Sequence, residues 1–588
     1  MTKADPRPFK VEYIENPSQD RLRELAFAHT PAVLETNVGS VDKISRNKAR
    51  MAAYTYVICP PGQEDAWSHK TIERPKAEEL IARQREYIEK TGKLIAVDGY
   101  QGLGDKAFPV TWLYTPEGAN IAGMQQILAF SRADVEPEEI QSKPFKPVFR
   151  LFYTPDLRVE DMPGGQAILV DMENWTTYVM GPDYFGESKK GILRMLNHYV
   201  YQQGGLVLHA GAKAVTRSGG RLTMTVMGLS GTGKTTTTFS KQGDLTEPIQ
   251  DDMVVLWPQG KLSVTENGCF AKTDGLSPET EPVLYEGTTS PEAWVENVYL
   301  EPDGSFNFTK GPLTPEEVER YKDILIATNA PRKNVEDYIA GRVTREEVIG
   351  DDGLPKDGWD FVVWTQNGRS IIPMSSIPGA ADLNDIPPVK SMGILNRDEG
   401  LEAATPGIVR FTTPEQAAGY FMLGETTKTS AAGKDRGKTR SPFTQPFFPA
   451  HHGLQAKRFK ELAATMSNVT MWLMNTGFVG GGKPEVEQGR ALKVKIPHSS
   501  AMLEALLSES ITWKKDPDFG YEIVDVEAPE NAALVEKVPA EILEPRRLFV
   551  QQGRLEQYDE WVRRMKAERR SFLEKYDVEK AIIQAISD

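Results

Sequence analysis

Gly228-Leu229-Ser230-Gly231-Thr232-Gly233-Lys234-Thr235 decides how this chain is read. The octamer satisfies the spacing G-x-x-x-x-G-K-[ST]. Its three glycines let the backbone curl until successive N–H groups point at phosphate oxygens. Lys234 can reach the β- and γ-phosphates of a nucleotide, and the Thr235 hydroxyl can ligate Mg²⁺. The surroundings agree. Leu222–Met227 is a β-rich run that ends at the loop. From Thr236 the chain must begin a helix. Thr235–Thr238 are four poor helix formers in a row, so the helix is expected to be short and held by packing and by an anion at its N-terminus.

The chain has 588 residues, which calls for two or more domains. A hydrophobic content of 39% and a charged content of 26% place it among globular proteins. A formal net charge of −14 argues against nucleic acid or an anionic membrane as partner, so a bound polyanion must sit in a local cationic pocket. Cys59 and Cys269 form neither a disulfide framework nor a zinc spacing, which points to a reducing cytoplasm. No apolar run is long enough to span a bilayer, and the polar start Met1–Pro6 lacks the apolar core of a signal peptide.

Downstream of the loop, Asp251 and Asp252 sit at the edge of the apolar run Met253–Leu256. Adjacent carboxylates repel, and a divalent cation relieves that repulsion, so the pair fits the acidic partner of a phosphate loop. The Gly-punctuated stretch Glu266–Leu276 reads as a loop. Upstream, Tyr184-Phe185-Gly186-Glu187-Ser188-Lys189-Lys190-Gly191 enters a helix through Ile192–Val200. Two lysines at a helix start oppose the helix dipole. They form either an exposed pair or a site whose bound anion or metal compensates. Leu206–His209 ends in a lone histidine, a core residue or a ligand. Ser45–Arg50 is a basic knot, either a solvated turn or an anion site. Strands are expected near Ala53–Cys59, Leu94–Asp98, Val148–Tyr153 and Ala167–Val170, and helices after Ser18 and over Pro75–Thr91.

The order of these motifs resembles the ATP-dependent phosphoenolpyruvate carboxykinases. The resemblance rests on the octamer, the Asp-Asp pair, Gly-Cys-Phe-Ala-Lys-Thr at 268–273 and Tyr-Phe-Gly-Glu-Ser-Lys-Lys-Gly at 184–191. Leu-His at 208–209, Asn-Gly-Arg-Ser-Ile-Ile-Pro-Met at 367–374 and Asn-Thr-Gly-Phe at 475–478 continue it. It implies an α/β chain of two lobes, an N-terminal α/β domain over 1–204 and a P-loop nucleotide-binding domain over 205–588, with the active site in the cleft between them. It implies Mn²⁺ on Lys190, His209 and Asp252, and Mg²⁺ with ATP on Thr235. ATP is expected on Gly228, Leu229, Ser230, Gly231, Thr232, Gly233, Lys234, Thr235 and Thr236, with Lys272 and Glu281 also touching the nucleotide. Arg369 is expected to span substrate and γ-phosphate. Arg46 and Tyr184 are expected on the substrate, oxaloacetate or phosphoenolpyruvate, and Lys189 beside the transferring phosphoryl group.

The chain also departs from the family pattern. Only part of the substrate-arginine motif survives at Ser45–Arg50. On the adenine side Arg490 and Lys493 compete for one arginine position, and Ser499 stands for a threonine. The stretch 311–358 reads as an inserted helical excursion, with helix starts at Thr314 and Thr344. About 430–448 reads as a closing lid that keeps Gly437, Thr439 and Pro442. Two other functions stay open at this stage: a P-loop kinase of the same fold with a different small-molecule or protein acceptor, and a non-catalytic nucleotide-binding subunit.

Overall fold

The computed structural model describes residues 6–46, 51–138, 142–229, 231–243, 245–350, 354–401, 403–428, 437–445 and 447–588. The chain is a mixed α/β protein that divides into two compact units. One comprises Met1–Tyr199, Val264–Ala380 and Pro446–Ala450, and the other Val200–Ser263, Ala381–Gln445 and His451–Asp588. The division is discontinuous. A single domain over 205–588 is not what is seen, because strands beyond residue 264 pair with strands from the start of the chain.

The first unit holds two sheets. The eight-stranded sheet runs Glu12–Glu15, Lys93–Gln101, Phe108–Tyr114, Phe149–Thr154, Thr176–Met180, Ala167–Asp171, Thr55–Cys59, Lys70–Glu73. Helix Arg74–Thr91 ends where the periodicity predicted, on Gly92 in the left-handed region at φ 71°. Helix Gly186–Gln202 begins ahead of the lysine pair. The five-stranded sheet runs Gly268–Lys272, Arg369–Pro373, Trp294–Glu296, Val41–Lys43, Val33–Glu35. Gly268–Lys272 corrects the loop reading of that stretch. The glycine at its head marks a close approach, since a Cβ on Gly268 would lie 2.5 Å from the Ile372 carbonyl oxygen of the neighbouring strand.

The expected helices of the stretch 311–358 are Pro315–Arg320, Lys322–Ala327, Arg332–Ile339 and Arg345–Val348. Glu317 N donates to Thr314 Oγ1 at 3.4 Å and Thr314 N to Glu317 Oε2 at 2.8 Å, which closes a capping box. Val318, Leu325, Val335 and Tyr338 from these helices share a buried cluster with Ile44, Tyr299 and Trp364.

The second unit is built on a larger sheet. Its strands run Leu262–Val264, Met253–Leu256, Leu206–Arg217, Gly220–Gly228, Val389–Asn396, Thr470–Asn475, Ile408–Arg410, Glu522–Val524, Trp513–Lys515, and Leu245–Gln250 also pairs with Leu206–Arg217. Gly220–Gly228, Val389–Asn396 and Thr470–Asn475 are parallel, so the phosphate loop leaves the carboxyl end of a parallel strand. Val226, Leu395, Trp472, Met474 and Met502 form the buried cluster behind it. The following helix is Lys234–Phe239 and starts two residues earlier than expected. Gly233, left-handed at φ 89°, takes the N-cap position and hands the chain directly into it. Among the described residues no helix is long and apolar enough to cross a membrane.

Candidate active site

Register places the first pair of site residues. His209 on strand Leu206–Arg217 is the partner of Met253, so Asp252 falls beside it. His209 Nε2 lies 2.9 Å from Asp252 Oδ1. On the other edge of the ring, Nδ1 is 3.0 Å from the Phe443 carbonyl oxygen. A carbonyl only accepts, so Nδ1 carries the proton. Burial, then the nearby Lys234 charge, lowers the His209 pKa, against the pull of Asp252. A neutral imidazole with its proton on Nδ1 turns the Nε2 lone pair toward a carboxylate oxygen. Two acceptors that converge in this way are donors for a cation.

Lys234 Nζ sits 3.1 Å from the same Asp252 oxygen, so the loop lysine, the histidine and the aspartate form one assembly. The far side of the loop is tied to the end of strand Thr470–Asn475, the next but one in the sheet, where Thr476 Oγ1 donates to the Thr232 carbonyl at 2.9 Å. Lys493 lies next to this contact. Its Nζ donates to the Thr476 carbonyl at 3.3 Å and stands 4.3 Å from the centre of the Phe478 ring. Arg490, its competitor for the adenine-side role, is exposed, and Ser499 is half-buried in helix Ile496–Leu507. Ser230 and the lid stretch 429–436 lie outside the described residues.

In the first unit the five-stranded sheet sets up a row of charge. Lys272 is the partner of Arg369, Arg369 of Glu296, and Glu296 of Lys43. Tyr184 is buried and hydrogen-bonds Arg369. Phe185 N donates to Glu296 Oε1 at 3.2 Å. Lys190 Nζ lies 5.3 Å from the Tyr184 ring centre, and Lys189 Nζ and the Arg369 guanidinium lie 5.2 and 5.9 Å from that of Phe270. The structure therefore gathers Tyr184, Lys189, Lys190 and Arg369 in one unit.

The lysine pair at the helix start is compensated by the chain's own carboxylates. Lys189 pairs with buried Glu266 at 2.8 Å and Lys190 with buried Glu187 at 2.9 Å. Arg194, one turn further on, takes the other oxygen of Glu187 at 3.1 Å. Against the cost of burial, Lys190 and then Arg194 hold the Glu187 carboxyl down to about 2. Arg46 Nη2 pairs with Asp156 at 2.8 Å and donates to the Pro155 carbonyl at 2.7 Å, and its backbone N–H reaches Asp183 at 2.9 Å. Asn47–Arg50, the rest of the basic knot, lie outside the described residues. Glu281 caps helix Pro282–Thr288 in sequence position, and burial raises its pKa.

Glu296 was not singled out from the sequence, nor were Glu187, Glu266 and Arg194. Glu187 stands inside the quoted motif at 184–191 and could have been found there as the counter-charge of the lysines. The other three offer no local signal. Among the described residues no three His, Cys, Asp or Glu side chains converge as a metal site. His209 and Asp252 are two donors, and the third that the resemblance implies is a lysine.

Comparison with known proteins places this geometry in a family. The family profile described as "Phosphoenolpyruvate carboxykinase" matches residues 11–334 and 346–531. The match runs through most of 311–358, so only 335–345 of that excursion falls outside it, along with the segment after 531. Among similar proteins is the phosphoenolpyruvate carboxykinase (ATP) of Thermus thermophilus, 27% identical over 434 residues, or 72% of this chain and 67% of the relative. That of Bradyrhizobium sp. strain BTAi1 is 25% identical over 543 residues, or 89% of this chain and 85% of the relative. That of Rhodopseudomonas palustris strain TIE-1 is 28% identical over 422 residues, or 70% of this chain and 64% of the relative.

Proposed function

The chain belongs to the family of ATP-dependent phosphoenolpyruvate carboxykinases, and from that premise we infer that it converts oxaloacetate and ATP to phosphoenolpyruvate, ADP and CO₂. The family match carries this reading, because it spans both the charged row of the first unit and the phosphate loop of the second. Membership does not favour a kinase for another acceptor.

The reaction breaks the bond from C3 of oxaloacetate to its carboxylate. CO₂ leaves, and the electron pair stays as the enolate of pyruvate. The enolate oxygen attacks the γ-phosphorus of ATP, and the bond to the ADP oxygen breaks. The backbone N–H groups of 228–235 and Lys234 hold the phosphates, and Thr235 and Thr236 line the start of the helix beneath them. Lys493 and Ser499 lie on the adenine side. Lys272 and Glu281 complete the nucleotide contacts. Arg369 and Lys189 bring positive charge to the transferring group, and Tyr184 orients Arg369 through their hydrogen bond. Arg46, whose Nη2 and Nε are held by Asp156 and Asp183, is the arginine this reading assigns to a substrate carboxylate.

His209 and Asp252 would hold a Mn²⁺ ion, Lys190 is the third ligand that the family reading assigns, and Thr235 would hold the Mg²⁺ of the nucleotide. The donor set is a neutral imidazole nitrogen and a carboxylate that converge in the second unit. A divalent cation there supplies charge against an oxygen that becomes anionic. Cytoplasmic location, with a small-molecule substrate and a nucleotide rather than nucleic acid or membrane as partners, belongs to the same reading.

The test is a coupled assay for phosphoenolpyruvate with oxaloacetate, ATP, Mn²⁺ and Mg²⁺. The expected result is phosphoenolpyruvate and ADP in equal amounts. ATP consumption with a different acceptor and none with oxaloacetate would overturn the reading.

A further inference from the structure

We propose that Lys213, a fully buried lysine outside the phosphate-loop motif, is a positioning residue that holds the phosphate-loop helix in place for the triphosphate of the nucleotide. The proposal rests on the reading of Gly228–Thr235 as a nucleotide site.

Lys213 lies in the middle of strand Leu206–Arg217 and exposes none of its surface. Its Nζ donates to the Ser240 carbonyl at 2.8 Å, to Ser240 Oγ at 3.2 Å, and at short range to the Thr237 carbonyl and Gln242 Oε1. Thr237 is in the last turn of helix Lys234–Phe239, and Ser240 is its C-cap. The lysine therefore satisfies carbonyls that a helix end leaves without an intrahelical partner. It also places a cation donor where the helix dipole is negative. All four oxygens can accept, so they hold the N–H groups of the lysine even though burial pushes its pKa down to about 7.

The strand grips the helix at a second point and on the same face. Residues two apart on a strand point the same way, so His209, Gly211 and Lys213 form one line. A Cβ on Gly211 would lie 2.0 Å from Thr238 Oγ1, so the helix rests directly on the strand there. Opposite Ala212 and Lys213 the extra residue belongs to strand Leu245–Gln250, where Ile249 is passed over, while the pairing of Leu206–Arg217 with Gly220–Gly228 runs without a shift, so the line of Gly211 and Lys213 is unbroken. Gln242 is itself held. Its N–H donates to Thr246 Oγ1 at 2.8 Å, and the Thr246 hydroxyl donates to its carbonyl at 2.6 Å. The line is thus complete. His209 meets Asp252, Asp252 meets Lys234 at the head of the helix, Gly211 seats its middle and Lys213 fixes its tail.

Such a clamp is needed because the helix cannot hold itself. It has six residues, and four of them are threonines, whereas isolated helices shorter than about 12 residues are marginal even in the best sequences. Its six residues rise only about 9 Å, so a shift at the tail moves Lys234 and the loop N–H groups by a similar amount.

The experiment is Lys213→Met with MgATP binding measured directly by equilibrium dialysis, followed by steady-state kinetics. The expected result is at least tenfold weaker MgATP binding and a raised KM for ATP, with the KM for oxaloacetate within twofold of wild type. Lys213→Met that folds and binds MgATP within twofold of wild type overturns the proposal. If Lys213→Met does not fold, Ser240→Ala and Gln242→Leu decide. Weakening of MgATP binding by threefold or more in either supports it, and wild-type binding in both overturns it. Binding is read apart from turnover. Wild-type protein that binds MgATP but makes no phosphoenolpyruvate therefore sinks the reaction assignment while the Lys213 test stands. Wild-type protein that binds no MgATP overturns both.

Discussion

Glu296 and Arg369 are direct partners across adjacent antiparallel strands, yet Glu296 does not behave as the carboxylate of a simple ion pair. Burial dominates and pushes its carboxyl up to about 8. Asp183 adds to the rise, and the Phe185 N–H, Lys43 and Arg369 only partly offset it. Between its unfolded value near 4.5 and about 8, the folded state binds a proton that the unfolded state has released. Stability from this group therefore falls as pH rises through that window. Glu296→Gln should remove the decline. Thermal midpoints at pH 5.5 and pH 8 should differ less in the variant than in wild type. Equal pH slopes in the two proteins would refute the assignment.

A second buried charge works in the opposite sense. Arg569, in helix Leu555–Glu574 beyond the family match, reaches both oxygens of Glu425 at 2.9 and 3.3 Å, and Arg440 joins the same carboxylate at 2.7 Å. Arg569, Lys438 and Arg440 hold the Glu425 carboxyl well below the usual range in spite of its burial. Stability from this group is fully present above the unfolded value of 4.5 and is lost as pH falls through the depressed folded value. Arg569→Met leaves a buried carboxylate short of a partner, a change that costs about 3–5 kcal/mol in comparable sites. It should lower the thermal midpoint, and adding Glu425→Gln should restore part of the loss. A double variant no more stable than Arg569→Met would show that the pair is not coupled.

These two carboxylates also mark where the sequence stops being legible. The octamer 228–235 is contiguous, and its chemistry follows from its own spacing, so the loop, the strand before it and Asp252 were all readable. The strand at Gly268–Lys272 was not, because Gly268 signals close approach to Ile372 and sequence alone reads it as a turn. The lysines at 189 and 190 read in sequence either as an exposed pair or as a site whose bound anion or metal compensates. The structure answers with Glu266 and Glu187, and Glu266 lies 77 positions from Lys189. Lys213 and Glu296 each depend on neighbours brought in by sheet register. Register is a tertiary property that a linear reading does not contain.

The His209–Asp252 pair predicts a metal dependence that can be read without catalysis. A ligand that binds only the folded state stabilises it by about 2.7 kcal/mol at a hundredfold excess over Kd. Mn²⁺ should therefore raise the thermal midpoint of wild-type protein, and chelation with EDTA should reverse the rise. Asp252→Asn keeps the shape and removes the charge, so it should abolish the Mn²⁺-induced shift. An undiminished shift in Asp252→Asn would place the cation elsewhere.

Lys234 is the last link in that assembly, since its Nζ shares the Asp252 oxygen with His209 Nε2. Lys234→Met removes the cation but keeps most of the side-chain volume, so the strand and helix around it should hold. Loss of one preorganised donor to a developing charge commonly costs on the order of 10² to 10³ in kcat. On the proposed function the same lysine also meets the phosphates in the ground state, so the KM for ATP should rise as well. Oxaloacetate binding, which the proposed function assigns to Arg46 and Arg369, should change little. Steady-state kinetics with each substrate varied in turn separates these terms. A variant that keeps wild-type kcat and KM for ATP would mean that Lys234 serves only to pair with Asp252, and that the loop backbone alone carries the phosphates.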